Sequence, residues 1–418
     1  MQTKKLRRFG AVTVASAAIV AGVIGFAAPA NADPSGAPGF RALNGTGSGT
    51  TQDLNNGLAS VVTYGGSLAL GSFDATIPSG RDNWIQTRAG GTWIPRPNGS
   101  GQGVRALKAA KNAATLRLVR DAAYDSLADL VPVTTTAGQN KGSEDTTSAA
   151  LAANDLQFAR SSSGATWVSG GTYSYIPLAL DAVTYATAST TSVPTNLTKA
   201  DLTAIYSAAD NTNVTISTGT YKVGKPGTSG VQIVPFIPAA EEGARSLWRS
   251  HLLLSGSFGT AVTDKYTDGS GTHDVQEDDG SVLSAVSNAL VPFSIAQYIA
   301  QGNSATLASN YGITVADRRH GAVLRTVNGV ATTVLGRLNT NFPISRPVFT
   351  VVQNAELSSN AALAAVFQGS SASAYAALRP GSSSNLVITD FGFGDIRSGV
   401  TIGGNTYTAG DTTSYRAN

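Results

Sequence analysis

The sequence predicts an α/β protein with mainly parallel sheet, and three observations carry that reading. Apolar extended runs alternate with helical patterns along the chain. Loops rich in Gly, Ser and Thr recur where those runs give way to helices, the position at which such folds present ligand sites. Hydrophobic residues make up 42% of the 418 positions, enough apolar material for a core rather than a disordered chain, and charged residues only 13%, which leaves a neutral, hydroxyl-rich surface.

The loop at residues 41–52 organises the rest. Gly45, Gly47 and Gly49 interleave with Thr46, Ser48, Thr50 and Thr51, and a helical pattern starts at Asp53. Glycine lets the backbone approach a ligand closely, and a helix opening behind the loop aims unpaired N–H groups at an anion. An ordinary turn is the competing reading of this stretch by itself. A second loop, residues 96–103, contains Gly99, Ser100 and Gly101 and opens a helical pattern running from Val104 to Leu118. A third follows the short strand at 156–160 and carries Arg160 and Ser161.

Further along, residues 134–150 read as a polar surface loop and 175–186 as a long buried strand. A helix is expected at 198–209, with Thr198 as N-cap and Asp201 three residues on. Residues 231–237 form another buried strand, followed by a helix with Leu247, Trp248 and Leu254 on its apolar stripe. Residues 281–301 alternate helical and extended patterns, 343–352 is again a strand, and 360–378 an Ala-rich helix.

The N-terminus reads as an export signal. Lys4, Lys5, Arg7 and Arg8 precede an apolar run from Ala11 to Ala28, and Ala30-Asn31-Ala32 is a small-x-small cleavage site before Asp33. An uncleaved anchor is the alternative. Without residues 1–32 the chain carries 25 Lys and Arg against 26 Asp and Glu, a net charge of −1. The basic isoelectric point therefore belongs to the leader, and nucleic acid is not an expected partner. The absence of cysteine excludes disulfides, thiolate metal sites and a lipid-anchor cysteine. A secreted, extracellular protein is the expectation.

The loops are similar to those of phosphate-binding members of the type 2 periplasmic-binding-protein superfamily, above all a secreted actinobacterial-type subgroup. The resemblance rests on residues 47–52, 72–76, 96–100, 158–161, 176–186, 201–206, 243–248, 292–297 and 342–347, in family order. It implies two α/β lobes joined by crossover hinge strands and closing on a ligand. Lobe one would comprise residues 33–180 and 346–418, lobe two residues 181–345. The implied function is non-enzymatic capture of a small oxyanion, phosphate or sulfate-like, by a monomer that serves an ABC-transporter permease, with no cofactor and no metal. Carried over position by position, the ligand set is Ser48, Gly49, Thr50 and Thr51, then Gly99, Ser100 and Gly101, then Arg160 and Ser161, with Arg245 closing from lobe two.

Two departures stand out. The family's third loop carries an aspartate that accepts a proton from phosphate, whereas here residues 159–163 read Ala-Arg-Ser-Ser-Ser. The lobe-two loop has Glu241 and Glu242 where the family has Gly-Ser-Gly-Thr, and carboxylates beside an anion oppose its binding unless they point away.

Other candidates have plainer readings. Arg160 and Arg245 are bidentate anion clamps or surface ion-pair formers. Asp74 reads as a turn or cap residue, His251 as core or surface rather than a metal ligand, and Trp248 as core. Asp274, Glu277, Asp278 and Asp279 miss the calcium-loop spacing and read as a solvated loop. No nucleophile elbow, zinc-protease motif or P-loop occurs, so an enzyme is not expected. The alternative function is a secreted structural or interaction protein that keeps the fold without binding a small ligand.

Overall fold

The computed structural model describes residue 33 and residues 40–78, 84–112, 116–121, 126–132, 148–149, 151–240, 242–253 and 256–418. The leader and its cleavage site lie outside the described residues, as do most of the polar loop expected at 134–150 and Glu241. No helix among the described residues is long and apolar enough to cross a membrane.

The site-bearing strands are β1 (Leu43–Gly47), β2 (Leu70–Ser72), β3 (Phe158–Ser161), β4 (Tyr173–Thr187), β5 (Val234–Pro235), β6 (Ala289–Ser294) and β7 (Ser345–Gln353). They form one sheet in the order β5-β6-β4-β7-β3-β1-β2, with residues 323–324 and 416–417 also pairing to β4. The helices that matter are α1 (Gln52–Val61), α2 (Ser100–Lys111), α3 (Lys199–Tyr206), α4 (Gly243–Leu252) and α5 (Ile295–Gly302).

The sheet is mixed rather than mainly parallel. Parallel pairing holds within each half, between β1 and its neighbours β2 and β3 and between β5 and β6. The strands between them are the reason for the difference. β4 pairs antiparallel with β7 over its first part, Tyr173 to Ala182, and antiparallel with β6 from Val183 to Thr187. A strand that carries the chain from one half of the molecule to the other runs against what it meets. All fifteen residues of β4 are buried, which explains why apolar and aromatic residues predominate in it, interrupted by Ser174, Asp181, Thr184 and Thr187. Pro177 is accommodated at an irregularity in the β4–β7 register. The result is a two-lobed fold with β4 and β7 as crossovers.

Local signals explain several boundaries. Thr198 and Asp201 form a reciprocal capping box at α3. α2 ends at Lys111, earlier than the helical pattern suggested, and Leu116–Asp121 is a strand. Its leucines at 116 and 118 also fit a period of two, and Lys108 and Lys111 already place positive charge in the last helical turn. The Ala-rich stretch divides into Ala361–Phe367 and Ser373–Ala376, with Gly369 at φ 86° between them.

β1 and α2 touch so closely that side chains are excluded. Gly47 has φ 124°, and a Cβ on it would lie 2.5 Å from the Arg160 carbonyl oxygen and 3.2 Å from the Gly103 Cα. Gly47 also bridges to Asn98, so the first two Gly/Ser loops are held side by side. We expect Gly47→Ala to lower unfolding free energy by about 2–4 kcal/mol, from backbone strain and the carbonyl clash together, read as a shift in the urea midpoint.

Candidate functional site

The loops that follow β1 and β3 and the start of α2 meet in a ring of serine hydroxyls. Ser48 Oγ donates to Ser162 Oγ at 3.0 Å. The Ser162 N–H donates to Ser100 Oγ at 3.0 Å, and the two hydroxyls lie 3.3 Å apart. α4 arrives from the other lobe at the same point: a Cβ on Gly243 would lie 2.0 Å from Ser162 Oγ and 3.1 Å from Arg346 Nη1. The N-termini of α1, α2 and α4 therefore converge, and their partial positive charges add at one place.

One arginine joins the two lobes. Arg346, on β7, is 2% exposed. Its Nε donates to Asp181 Oδ2 at 3.0 Å and its Nη1 to the Ser162 carbonyl at 3.1 Å. Nη2 donates to Thr50 Oγ1 and to Glu277 Oε1, each at 3.2 Å. Burial works to lower the Arg346 pKa, but the carboxylates of Asp181, Glu277 and Asp278 outweigh it and raise the pKa. This residue lies within a stretch that reads as a strand and as part of the family resemblance, but it is not among the expected ligand residues.

The acidic run near 277 is not a solvated loop. Glu277 is 7% and Asp278 1% exposed, because this loop crosses the cleft. Thr50 donates its hydroxyl to Asp278 Oδ2 at 3.2 Å, and the Ser294 N–H donates to Asp278 Oδ1 at 2.8 Å. Glu277 Oε1 accepts the Ala244 N–H at 2.8 Å, so a carboxylate caps the start of α4. Asp181 does the same for α5, accepting from Ser294 Oγ at 2.8 Å and the Ala296 N–H at 3.3 Å. Gln297 Nε2 completes the bridge by donating to the Thr50 carbonyl at 2.6 Å.

Glu242 also faces inward, at 4% exposure. Burial first, and then the neighbouring charge of Glu277, pushes its pKa well above the usual range. Burial and Glu277 do the same to Asp278. Burial raises Asp181 as well, with Arg346 opposing. In the cleft, the buried oxygens Glu242 Oε2 and Glu277 Oε2 have no hydrogen-bond partner among the described residues. The cleft can therefore offer protonated carboxyls as donors and lose them as pH rises.

The remaining candidates occupy varied positions. Thr51 precedes α1, and its buried hydroxyl has no hydrogen-bond partner among the described residues. Gly49 follows Ser48 in the same loop, and a Cβ there would meet nothing nearer than Ala75 at 3.8 Å. Gly99, at φ 91°, precedes α2, and Gly101 lies in the first turn of that helix. Ser161 turns its hydroxyl back to the Ser163 carbonyl at 2.7 Å, and it is Ser162 that joins the ring. Arg160 lies beneath the first loop, with Nε donating to the Ser48 carbonyl at 3.2 Å, Nη2 to the Gly47 carbonyl at 3.1 Å and Nη1 to Ser72 Oγ at 3.0 Å. Burial lowers its pKa to about 10. Arg245 points out of the cleft, donating to Asp264 Oδ2 at 2.8 Å and the Pro238 carbonyl at 2.9 Å.

A second buried charge cluster lies behind the first loop. Arg96 holds both carboxylate oxygens of Asp33, at 2.9 and 2.6 Å, and donates to the Asp74 carbonyl at 2.9 Å. Asp74 is therefore more than a turn residue: burial, followed by the charges of Asp53 and Asp33, raises its pKa to about 7.

A hinged α/β clamp with helix N-termini converging between its lobes is the architecture of a solute-binding protein. The model of the PBP superfamily domain matches residues 92–373, well over half of the chain. The chain belongs to the periplasmic-binding-protein (PBP) superfamily. Among solved structures it is similar to a human phosphate binding apolipoprotein, at 12% identity over 90% of this chain and 99% of that one, with a TM-score of 0.40. It is also similar to a phosphate binding protein from Stenotrophomonas maltophilia, at 13% identity over 85% and 90% of the two chains, TM-score 0.36. An ABC-type phosphate transport receptor from Vibrio cholerae shows 13% identity over 57% and 80%, TM-score 0.33. No curated protein matches.

The raised carboxyl pKa values fix the sign of the pH dependence. A folded state that holds protons more tightly than the unfolded chain has its full advantage below pH 4 and loses it as pH rises through the folded-state pKa. For Asp74 that window runs from about 4 to about 7. Unfolding free energy should fall across it, each pKa unit of displacement being worth about 1.4 kcal/mol. Asp74→Asn should flatten this part of the curve in denaturant melts at successive pH values.

Proposed function

We propose that this chain is a secreted, non-enzymatic solute-binding protein that captures a small oxyanion between its lobes. The observation that carries the reading is the convergence of the α1, α2 and α4 N-termini on Ser48, Ser100, Ser162 and Gly243. Aligned N–H groups and hydroxyls at helix starts favour negative charge by about 0.3–2 kcal/mol per terminus. On this reading Ser48, Thr50, Ser100 and Ser162 contact the ligand, with amides of Gly49, Thr51 and Gly101 in support. Arg346 is the cation of the site, and Arg160 braces the first loop from behind.

The same reading makes residues 33–180 and 346–418 lobe one and 181–345 lobe two, with β4 and β7 as the hinge. The leader is removed before Asp33, and the protein acts as a monomer that delivers its solute to an ABC-transporter permease. Phosphate, named for the similar human and Stenotrophomonas proteins, is one candidate ligand. The third loop lacks a carboxylate to accept a proton from the ligand, while Glu242 and Asp278 can donate protons, so a fully ionised oxyanion such as sulfate is equally admissible.

One observation favours a second reading, in which the fold is kept without a ligand. The chain's own carboxylates already occupy donors of the cleft, Asp278 on Thr50 and Glu277 on the start of α4. Calorimetric titration of the mature protein with phosphate and sulfate at pH 5 and pH 8 separates the two. Oxyanion capture predicts binding of at least one of the two anions that drops about tenfold or more in Ser100→Ala. Binding of neither anion at either pH selects the sealed, ligand-free account.

A further inference from the structure

A second recess lies beside the hydroxyl ring, on the far side of Ser162 and Arg346. Its volume is about 410 Å³, within the range of small-molecule sites. It is walled by three parts of the molecule: the loop after β3, one face of α4, and the hairpin at residues 400–407 with β7 beneath it.

One wall is aromatic and rigid. Trp167 packs edge-on against Tyr175, Phe349 and Tyr415, with ring centroids 5.5, 6.0 and 5.2 Å away. Tyr407 stacks on Tyr415 at 4.5 Å. Trp167, Phe349 and Tyr407 all line the recess. Rings wedged in this way present an apolar face without losing conformational freedom when something packs against it.

The opposite wall is polar but uncharged. Ser246, Ser250 and His251 of α4 face Asn405 of the hairpin across the recess. The Ser246 hydroxyl and the His251 ring have no hydrogen-bond partner among the described residues. Burial, and then the charge of Lys199, lowers His251 to a pKa of about 4, so its imidazole is neutral at physiological pH. Among the described residues of the lining the one formal charge is Arg346, which is compensated by Asp181 and Glu277. An ionised ligand would therefore find no opposite charge here, whereas a neutral ligand rich in hydroxyls would find several donors and acceptors.

We propose that this recess is a binding site for a neutral sugar, whose C–H face packs on Trp167 and Tyr407 while its hydroxyls bond Ser246, His251 and Asn405. The recess shares Ser162 and Arg346 with the oxyanion cleft but is otherwise lined by different residues, so the two sites are tested separately. A ligand seated there touches both lobes and the C-terminal hairpin, so it also favours the closed arrangement of β4 and β7.

The test is titration of the mature protein with D-glucose, D-galactose and maltose, followed by calorimetry and by tryptophan fluorescence, with phosphate and phenyl phosphate as parallel arms. The proposal expects at least one sugar to bind with Kd below about 1 mM and to perturb Trp167 emission. Trp167→Ala should weaken that binding at least about tenfold, and Trp167→Phe should restore part of it. Ser246 is exposed on α4, so Ser246→Phe should block the recess while leaving the melting curve unchanged. The proposal is overturned if none of the three sugars binds a protein that melts cooperatively. Sugar binding unchanged in both Trp167→Ala and Ser246→Phe overturns it as well, as does binding of phenyl phosphate alone. Phosphate binding without sugar binding rejects this site and leaves the oxyanion cleft standing; sugar binding without phosphate binding does the reverse.

Discussion

The buried guanidinium of Arg346 is the interaction on which the rest of the cleft depends. It lies between Asp181 from β4, Glu277 from the crossing loop, Thr50 from the first glycine loop and the carbonyl of Ser162. Four segments far apart in sequence thus meet at one planar cation. An arginine fork suits this role because its donors are fixed in direction and it stays charged when buried. Removing charges from water is costly, and the cost is recovered only when every member has a partner. Glu242 Oε2 and Glu277 Oε2, which have no partner among the described residues, show where that balance is incomplete.

From this centre the other features follow. Helix starts bring partial positive charge to the cleft, and carboxylates of the chain answer it by capping α4 and α5. Arg160 fixes the carbonyls of the first loop from below, while the Ser48 hydroxyl turns to Ser162 and the Thr50 hydroxyl reaches Asp278 of the other lobe. Exclusion of side chains at Gly47 and Gly103 keeps that loop against α2. A solute entering the cleft competes with the protein's own carboxylates for the same donors. Ligand capture and the protonation of Glu242 and Asp278 are therefore two faces of one electrostatic problem.

The parts of this arrangement that were legible in the sequence are those set by local chemistry. Most of strand β4 announces itself at residues 175–186 through predominantly apolar, aromatic and β-branched residues, and the α3 capping box through Thr198 and Asp201. The PBP relationship was legible as an ordered set of short loops. The mixed pairing of the sheet was not, because strand direction depends on how the crossovers return. The acidic run at 277–278 read as solvated since charge usually is; its burial is set by Arg346 and Thr50, 69 and 228 positions away. Arg346, flanked by Ser345 and Pro347, lies in one of the stretches that carry the family resemblance, yet nothing local to it marks it as the cation of the cleft. Residues that become functional through distant partners leave little trace in spacing or composition.

The central claim is that Arg346 is what makes the buried carboxylates tolerable, and equilibrium unfolding of a graded set of variants measures it most directly. Arg346→Met alone should lose about 3–5 kcal/mol, because it leaves Asp181 and Glu277 buried without their cation. Arg346→Met combined with Asp181→Asn and Glu277→Gln should recover a large part of that loss, since no unpaired charge then remains in the cleft. A single variant as stable as the wild type, or a triple variant no more stable than the single one, would contradict the account.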